Sequence, residues 1–424
     1  MNRREFLAAA GAISLPYVVP CRVVGAVGKP GANDRIRLGF IGVGNRGRWL
    51  ISTQEFPGAD IVAVADCFLP RCYEVAKLRE AGEKWTKYQD YRKMLEKEKL
   101  DAVFVETTTH ARALVCIHAM QAGLDVYAEK PISLTVAEGR MLVNAVRKYD
   151  RILQTGTQQR SIPSNIYASR LVREGALGKV HTVIVCNFEG PRRWAPNPAE
   201  PMPDGLDWDQ WCNQTELRPY RKELHIGWET WWDYDGGGRS WGVTGWGTHS
   251  LDQVQCALGT DETGPVEIWP EEFGPQCRIS MRYAGGTILR LEDPIRKDPA
   301  RSQLGAIFVG DEGMIEIKRG SYTAEPQELL KGAPGAPPEG PEGEKMFDAY
   351  HIQNFLDCIR ARKEPNADVE IGHRSTTVCH LANICREVGR KLRWDPVTER
   401  FTGDDEASAL LSRQRRKGYE LPNV

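Results

Sequence analysis

Short apolar runs alternate with amphipathic stretches over the first third of the chain. The apolar runs predict strands, and the stretches between them space their apolar residues as helices do. The predicted strands are residues 35–41, 61–66, 101–107, 124–128 and 151–156. The predicted helices are residues 46–56, 71–81, 89–98, 111–122 and 135–149. Strands and helices alternating at this spacing indicate βαβ units and a parallel sheet, so we predict a first domain over residues 34–156.

The pattern changes after residue 156, where apolar and polar residues alternate as in half-buried strands. Two pairs of such runs are joined by tight turns, as hairpins are. The predicted strands are residues 180–189, 277–283, 286–292, 305–309 and 313–318. Long insertions separate them, and helices are predicted near residues 346–361 and 372–391. This predicts a second domain over residues 157–424, with an antiparallel sheet and helices on one face.

Length and composition agree with two soluble domains. The chain has 424 residues, more than one ordinary core accommodates. Its 56 basic and 57 acidic residues nearly cancel, which gives no electrostatic basis for binding nucleic acid or an acidic membrane surface. The 11 cysteines form no C-x-x-C pair, and no His cluster has zinc spacing, so no metal site is predicted.

The first 26 residues have the pattern of an export signal. Arg3 and Arg4 precede an apolar stretch, Leu7–Val19, which is too short to span a bilayer but typical of a signal peptide. Small residues at 24–26 allow cleavage after Ala26. The sequence Arg-Arg-Glu-Phe-Leu favours the twin-arginine pathway over an ordinary Sec signal. We therefore expect a periplasmic protein that is not held at the membrane once residues 1–26 are removed.

The stretch LGFIGVGNRG at residues 38–47 predicts a dinucleotide-binding turn. Gly42 permits the tight turn, Gly44 lets a diphosphate approach the backbone, and Gly47 lets helix and strand pack closely. The turn residues Asn45 and Arg46 are predicted to contact the cofactor.

The second predicted strand ends at Asp66, 19 residues beyond Gly47. A carboxylate there accepts hydrogen bonds from ribose hydroxyls and repels a 2′-phosphate, so NAD is favoured over NADP. Arg46 and Arg71 leave NADP open, because either guanidinium can meet a phosphate.

Further motifs carry a family resemblance: Glu129-Lys130-Pro131, the run GTQQR at 156–160, and Gly247-Thr248-His249. With the glycine turn, they make the chain resemble the glucose–fructose oxidoreductase and inositol dehydrogenase family, called Gfo/Idh/MocA. The resemblance implies a Rossmann domain followed by an α/β domain with a large, mostly antiparallel open sheet. In the family that sheet often forms the oligomer interface, so a homodimer or homotetramer is expected.

The resemblance also implies roles for individual residues. Lys130 would lie beside the nicotinamide and the reacting sugar hydroxyl, and Glu129 near the nicotinamide ribose. The loop after the third predicted strand would line the cofactor, although the family usually has proline where this chain has Thr108. The predicted cofactor contacts beyond the glycine turn are therefore Asp66, Thr107, Thr108, His110, Glu129, Lys130 and Gln158.

His249 is the predicted catalytic base. Alcohol oxidation by NAD needs a group that takes the hydroxyl proton, and imidazole titrates in the right range. Family dehydrogenases commonly carry D-x-x-x-H, but the Asp position here holds Gly245. Asp252, three residues beyond His249, is a candidate replacement. Lys130 is the predicted donor that polarises the developing carbonyl.

Aromatic residues crowd residues 228–246. Aromatic faces pack against the C–H faces of sugar rings, so Trp232 is a candidate substrate contact, together with Arg160 and Asp252. Core packing is the alternative for the tryptophans, and pairing with an acid is the alternative for Arg160. Asp233 and Asp235 either bind sugar hydroxyls or are solvated loop acids.

Three functions remain open. The first is an NAD-dependent oxidoreductase acting on a hydroxyl of a sugar, glycoside or cyclitol, with a tightly bound cofactor that is recycled in place because free NAD is scarce outside the cytoplasm. The second is a redox-neutral NAD-dependent glycosidase or lyase, a known exception to the two-carboxylate scheme. The third is a non-catalytic sugar-binding protein, against which the intact Lys130, Asp66 and glycine turn argue.

Overall fold

A computed structural model describes residues 34–237, 241–292, 304–332, 335, 338 and 340–424. The predicted signal peptide, residues 1–26, lies outside the described residues.

The first sheet has six strands, and every neighbouring pair is parallel. Its spatial order, β3-β2-β1-β4-β5-β6, is that of a Rossmann fold. The strands are β1 Ile36–Ile41, β2 Ala59–Ala65, β3 Thr86–Tyr88, β4 Ala102–Val105, β5 Asp125–Ala128 and β6 Leu153–Thr155. The helices between them are α1 Asn45–Thr53, α2 Pro70–Ala76, α3 Tyr91–Lys97, α4 Thr109–Gln121 and α5 Val136–Tyr149, with a 3₁₀ turn at Glu80–Lys84.

The middle strands are buried on both faces. All residues of β4 and β5 are buried, as the continuous apolar runs in the sequence require of a sheet covered on both sides by helices. The carboxyl ends of these parallel strands meet at one edge, where the loops that follow them form a groove.

The second sheet has nine strands in the order β13-β12-β11-β7-β10-β9-β8-β14-β15. Only the β7–β10 pair among them is parallel. The strands are β7 Val180–Val185, β8 Pro265–Pro270, β9 Ile279–Tyr283, β10 Ile288–Leu291, β11 Ala306–Gly310, β12 Gly313–Ile317, β13 Tyr322–Glu325, β14 Leu392–Asp395 and β15 Arg400–Phe401. The predicted fold class, a Rossmann domain followed by an α/β domain with a mostly antiparallel sheet, is confirmed.

Three helices pack on one face of this sheet and share its core. They are α6 Pro163–Arg173, α9 Gly247–Leu258 and α11 Val369–Val388. The remaining helices of this part are α7 Trp208–Cys212, α8 Lys222–Ile226, α10 Gly340–Ala361 and α12 Asp405–Ala409, with 3₁₀ turns at Gln158–Ser161, Trp228–Thr230 and Gln327–Leu330. Helix α9 carries His249 at its first turn, so sheet packing fixes where the imidazole points.

Helix α10 belongs to the core of the first domain, although it follows that domain by almost 200 residues. Ile352, Phe355 and Leu356 are buried in one apolar cluster with Phe40 and Phe104. The ring of Phe355 stands edge-on to Phe104, with centroids 5.7 Å apart. The sequence predicted a helix near 346–361 but did not indicate that it completes the Rossmann core.

Residues 203–235, called the strap below, cross from the second domain over the first. At one end, the Leu69 amide donates to the Gly205 carbonyl at 3.0 Å and the Asp207 amide to the Cys67 carbonyl at 2.8 Å. At the other end, the His110 amide donates to the Tyr234 carbonyl at 3.0 Å. The strap is therefore attached to the Rossmann domain on both sides of the groove.

Ten cysteines fall in the described part of the chain, and all are free thiols. Eight are buried and two are half-buried, which agrees with their interpretation as small apolar core residues. In this same part of the chain, no helix combines the length and apolar character needed to cross a bilayer.

Candidate active site

A cavity of about 730 Å³ lies between the two domains and the strap. Its Rossmann wall runs from Asp66 past the glycine turn to Lys130. Its opposite wall comes from α9 and the strap. The predicted residues that line it are Gly42, Gly44, Asn45, Arg46, Asp66, Thr107, Thr108, Glu129, Lys130, Gln158 and His249.

The glycine turn forms a cradle that side chains would fill. Gly42 has φ +86°, and a Cβ there would lie 2.8 Å from the Thr107 nitrogen. A Cβ on Gly44 would meet open space, with the nearest atom, Arg71 Nη1, 3.7 Å away. Helix α1 begins at this point with no side-chain cap and no acid in its first turn. Free N–H groups above bare backbone fit the diphosphate of a dinucleotide.

Gly47 does not line the cavity but packs beneath it. A Cβ on Gly47 would lie 2.4 Å from the Gly42 carbonyl oxygen, so any side chain would push α1 off β1. This is the packing role that the glycine pattern predicted.

Asp66 ends β2 at the edge of the cavity. Its Oδ2 accepts the Val43 amide and its Oδ1 the Phe68 amide, both at 2.8 Å. Burial raises the pKa of Asp66, and the positive charge of Arg71, whose Nη1 lies 3.9 Å from Oδ1, opposes that rise. The carboxylate holds the turn and still presents acceptor capacity to the cavity, as ribose recognition requires.

An arginine fixes the middle of the Rossmann wall. Arg46 Nε donates to Glu129 Oε1 at 2.8 Å, and its two terminal nitrogens donate to Asp348 of α10 at 2.7 and 2.9 Å. Gln158 Nε2 donates to the same Glu129 oxygen at 3.1 Å. Because its fork is occupied in this way, Arg46 is a positioning group for Glu129 rather than a free phosphate ligand.

Lys130 and His249 meet where the two domains face each other. Lys130 Nζ donates to the Gly245 carbonyl at 2.7 Å. Burial lowers the pKa of Lys130. Burial, and then the charge of Lys130, hold the pKa of His249 well below 6.5. His249 Nδ1 is buried without a partner among the described residues, and the neutral imidazole forms part of the cavity wall.

A second acid lies beside Lys130. Asp235, 2% exposed, accepts the hydroxyls of Thr109 and Thr244, each at 2.6 Å. Burial raises the pKa of Asp235, while these hydrogen bonds and the Lys130 charge oppose the rise. The cavity therefore contains a carboxyl group although position 245 is glycine.

Besides Gly47, four predicted residues do not line the cavity, and their expected roles need correction. Asp252 is fully buried and accepts from Arg160 Nε at 2.9 Å and from the Ser375 hydroxyl at 2.7 Å. Arg160 also donates to Asp261 at 2.7 Å. The two candidates for substrate binding thus neutralise each other inside the protein, and Asp252 cannot serve His249 as the missing acid.

The other two corrections concern His110 and Trp232. The His110 Nε2–H group donates to the Trp211 carbonyl at 2.8 Å, so His110 secures the strap instead of contacting a cofactor. The Trp232 ring has the guanidinium carbons of Arg193 and Arg413 at 4.5 and 4.4 Å from its centroid. Two cations already occupy the faces that a sugar would need.

The sequence reasoning missed Glu106, Arg319 and the role of Asp235, all of which line the cavity. Glu106 directly follows β4, and the rule that ligands bind at the carboxyl ends of parallel strands could have indicated it. Asp235 stands in an irregular loop without periodicity, so no local signal separated it from Asp233.

Comparison with known families agrees with this geometry. Residues 36–157 match the NAD-binding Rossmann fold of the Gfo/Idh/MocA oxidoreductase family. Residues 167–421 match the C-terminal alpha/beta domain of that family. The chain belongs to the Gfo/Idh/MocA oxidoreductase family. The prediction of an NAD(P)-dependent oxidoreductase with NAD as cofactor is confirmed at the level of the family.

Individual relatives of the Gfo/Idh/MocA chain are distant. It is 31% identical over 148 residues to scyllo-inositol 2-dehydrogenase (NAD(+)) of Bacillus subtilis strain 168, which covers 34% of this chain and 42% of that protein. It is 31% identical over 122 residues to glycosyl hydrolase family 109 protein 1 of Bacteroides fragilis strain YCH46, covering 27% and 26%. The chain thus matches less than half the length of either curated relative.

The structural likeness extends further than the sequence likeness. The aldose-aldose oxidoreductase of Caulobacter crescentus, solved with glycerol, superposes with a TM-score of 0.58 at 18% identity. The match covers 85% of this chain and 99% of that one. At this identity the likeness concerns the fold alone.

Proposed function

We propose that this Gfo/Idh/MocA protein is an NAD-dependent oxidoreductase that acts on a hydroxyl group of a sugar, glycoside or cyclitol. One observation carries the proposal: Lys130 and His249, from different domains, meet in the same cavity that the glycine turn and Asp66 line. The family relatives whose names include inositol and sugar dehydrogenases support this substrate class.

The residues supply acid–base chemistry at the reacting hydroxyl. Bound NAD⁺ would supply the hydride acceptor for oxidation of the carbinol carbon. His249 is neutral near pH 7 because its pKa is depressed, so the imidazole can take the hydroxyl proton. The Lys130 ammonium donates a hydrogen bond to the oxygen as it becomes a carbonyl. Asp235 keeps negative charge beside that ammonium and favours its protonated form.

We infer further that the cofactor is retained between turnovers. The strap contributes Trp211, His225 and Trp228 to the cavity wall opposite Asp66 and Arg71. A dinucleotide in this groove would lie beneath the strap, so contacts with the strap would slow its release. A retained cofactor must be regenerated in place, either by a second substrate or by a redox-neutral reaction.

A redox-neutral glycosidase or lyase is the second candidate, and position 245 favours it. Once a carbon beside C2 is oxidised to a ketone, a base can remove the C2 proton and expel the C1 oxygen substituent. Water then adds and the ketone is reduced again, so the net reaction is hydrolysis. The elimination step requires a base but does not require an Asp–His pair. This chain has Gly245 at the position where family dehydrogenases commonly carry that Asp. The Bacteroides fragilis relative named as a glycosyl hydrolase adds support.

The deciding experiment measures cofactor first and products second. Purified protein, with no cofactor added, is denatured and the released NAD and NADH are quantified. The protein is then incubated with free sugars, inositols and aryl glycosides. Absorbance at the NADH band with a free sugar supports the oxidoreductase, whereas aglycone release without net reduction supports the glycosidase. Protein that carries no nucleotide and transforms no substrate would leave the sugar-binding alternative. Lys130→Ala is the matched inactive control.

Export and assembly remain proposals. We propose that residues 1–26 direct the folded protein to the periplasm by the twin-arginine pathway, and that Arg3→Lys with Arg4→Lys traps it in the cytoplasm. Cell fractionation checks this, and export by the double variant would contradict it.

We also propose a homodimer or homotetramer through the open face of the nine-stranded sheet. Light scattering on the purified protein measures the mass, and a monomer at micromolar concentration would contradict it.

A further inference from the structure

Glu106 is a buried acid in the cavity wall, and its carboxyl group has no hydrogen-bond partner among the described residues. It directly follows β4 and is 9% exposed. Both carboxylate oxygens are buried and lack a hydrogen-bond partner among the described residues. Its Cβ lies 3.4 Å from the position that a Cβ on Gly47 would take, so the side chain lies under the glycine turn.

The cations around Glu106 donate their hydrogen bonds to other groups, and Arg112 Nε is itself buried without a partner among the described residues. Arg46 of α1 donates to Glu129 and Asp348, and Arg112 of α4 donates to the carbonyls of Thr107 and Pro131. The titratable and charged groups that act on Glu106 or respond to it are Arg46, Arg112, Cys116, Tyr127, Glu129 and Asp348. Burial, and then the negative charge of Glu129, raise the pKa of Glu106 well above its ordinary value.

A buried, unpaired carboxylate beside an anion-binding turn is unfavourable in its charged form. As a neutral acid, the same group has one O–H donor and one carbonyl acceptor. The diphosphate of a dinucleotide offers only acceptors. The described residues thus provide no partner for the Glu106 hydroxyl. The diphosphate expected in the cavity would supply the acceptor that this hydroxyl needs.

We propose that Glu106 binds the dinucleotide as a neutral carboxylic acid, donating its hydroxyl to an oxygen of the diphosphate or of the adjoining ribose. The inference rests on the proposed function only in placing NAD in this cavity. It has a consequence for pH. As pH rises through the pKa of Glu106, an ionised carboxylate appears beside the diphosphate, and NAD is held less tightly.

The test measures NAD binding rather than turnover. Protein stripped of nucleotide is titrated with NAD by calorimetry between about pH 6 and about pH 9. For the unaltered chain the Kd for NAD is expected to rise by at least about tenfold over this range, because the ionised Glu106 carboxylate repels the diphosphate. In Glu106→Gln, which keeps shape and hydrogen bonding without titrating, the Kd stays flat. Glu74→Gln, at an acid with a 58% exposed side chain outside the cavity, follows the unaltered chain.

A second measurement uses only the unaltered chain. Titration of the unaltered chain in two buffers of different ionisation enthalpy gives the protons taken up on binding, and uptake is expected over the pH range in which the Kd rises, because Glu106 is ionised there in the free protein. A flat Kd with no proton uptake would overturn the proposal. So would a Glu106→Gln slope equal to that of the unaltered chain, because the titrating group would then be another residue, such as Asp66 or Lys130. Absence of NAD binding at every pH would overturn the cofactor assignment itself.

Discussion

The charge of Lys130 acts on His249. His249 is buried and Lys130 is half-buried, and each has a lowered pKa whose first cause is desolvation. The positive charge of Lys130 also depresses the pKa of His249. One residue is thereby kept as a donor and the other as a base in the same small volume, which is how a site separates acid and base roles.

Removing either side chain should abolish most turnover. We expect His249→Ala and Lys130→Ala each to reduce kcat by at least about 100-fold, the lower range for lost acid–base catalysis. The measurement is the rate of product formation with the best substrate of the screen. His181→Ala, at an exposed histidine of β7, should leave kcat unchanged. Losses below about tenfold at both sites would contradict the assigned roles.

The pH profile should show the same pair. His249 has a depressed pKa, so the neutral base is present above that pKa and is lost as pH falls through it, well below 6.5. Lys130 has a pKa below 10.5, so the donor is lost as pH rises through that value. We expect a bell-shaped kcat/KM. In Lys130→Arg the alkaline limb should disappear, because guanidinium does not titrate there. An unchanged alkaline limb would assign it to another group.

Among the elements, the strap depends on residues after α12. The Arg416 amide donates to the Gln214 carbonyl at 2.9 Å, and its guanidinium donates to the carbonyls of Asn213 and Asp209 at 3.0 and 2.8 Å. The Tyr419 hydroxyl donates to Asp209 at 2.6 Å. These contacts lie outside the cavity and hold α7 in place over the groove.

Loosening that contact should release cofactor without altering the chemistry. We expect Arg416→Ala to speed NAD release by about tenfold, since it frees two strap carbonyls and one carboxylate. The measurement is NAD lost on dilution and gel filtration over time. Arg390→Ala, at an exposed arginine paired with Asp404 and Glu406, is the matched control and should retain NAD normally. Equal release from both variants would mean that the strap does not govern retention.

The sequence predicted regular elements far better than the strap. Buried runs such as β4 and β5 are visible because strands covered on both faces are continuously apolar. The strap has two five-residue helices. Its position depends on hydrogen bonds from backbone amides of the Rossmann domain to the strap carbonyls of Gly205 and Tyr234, and no local sequence pattern encodes these bonds.

At the site, motifs identified the residues that lie on the Rossmann wall, because strand ends fix them in place. Which polar side chains pair with each other was not predictable from the sequence. Arg160 and Asp252 look like free polar groups in the sequence, and their mutual ion pair exists only once α9 packs beside the 3₁₀ turn at Gln158–Ser161. Asp235 was hidden for the opposite reason, since folding buries a loop acid that the sequence presents as solvated.

For the whole molecule, buried neutral histidines set an acid limit to stability. Burial lowers the pKa of His110, His225 and His351 to about 4 and that of His380 to about 3. The unfolded chain protonates these groups near pH 6.5, so the free energy of unfolding falls as pH drops from about 6.5 to about 4. Buried acids with raised pKa values, such as Asp252, act in the opposite direction. A single variant therefore isolates one histidine.

His351→Gln should flatten the pH dependence of stability. His351 links the domains, donating from Nε2 to the Thr155 carbonyl and accepting the Ser161 hydroxyl at Nδ1. Its depressed pKa changes the free energy of unfolding by on the order of 3 kcal/mol over that pH range. Urea unfolding at several pH values measures the slope. His181→Gln should leave the slope unaltered, and equal slopes in all three proteins would contradict the assignment.

Helix α10 has a consequence for how the chain is made. The apolar slot around Phe40 and Phe104 stays open until Phe355 has left the ribosome. Synthesis of the roughly 200 intervening residues takes about 10 to 40 s at ordinary elongation rates. During that interval the nascent first domain exposes its core, so a chaperone has time to bind it. The first domain therefore reaches its final packing only after most of the second domain has been synthesised.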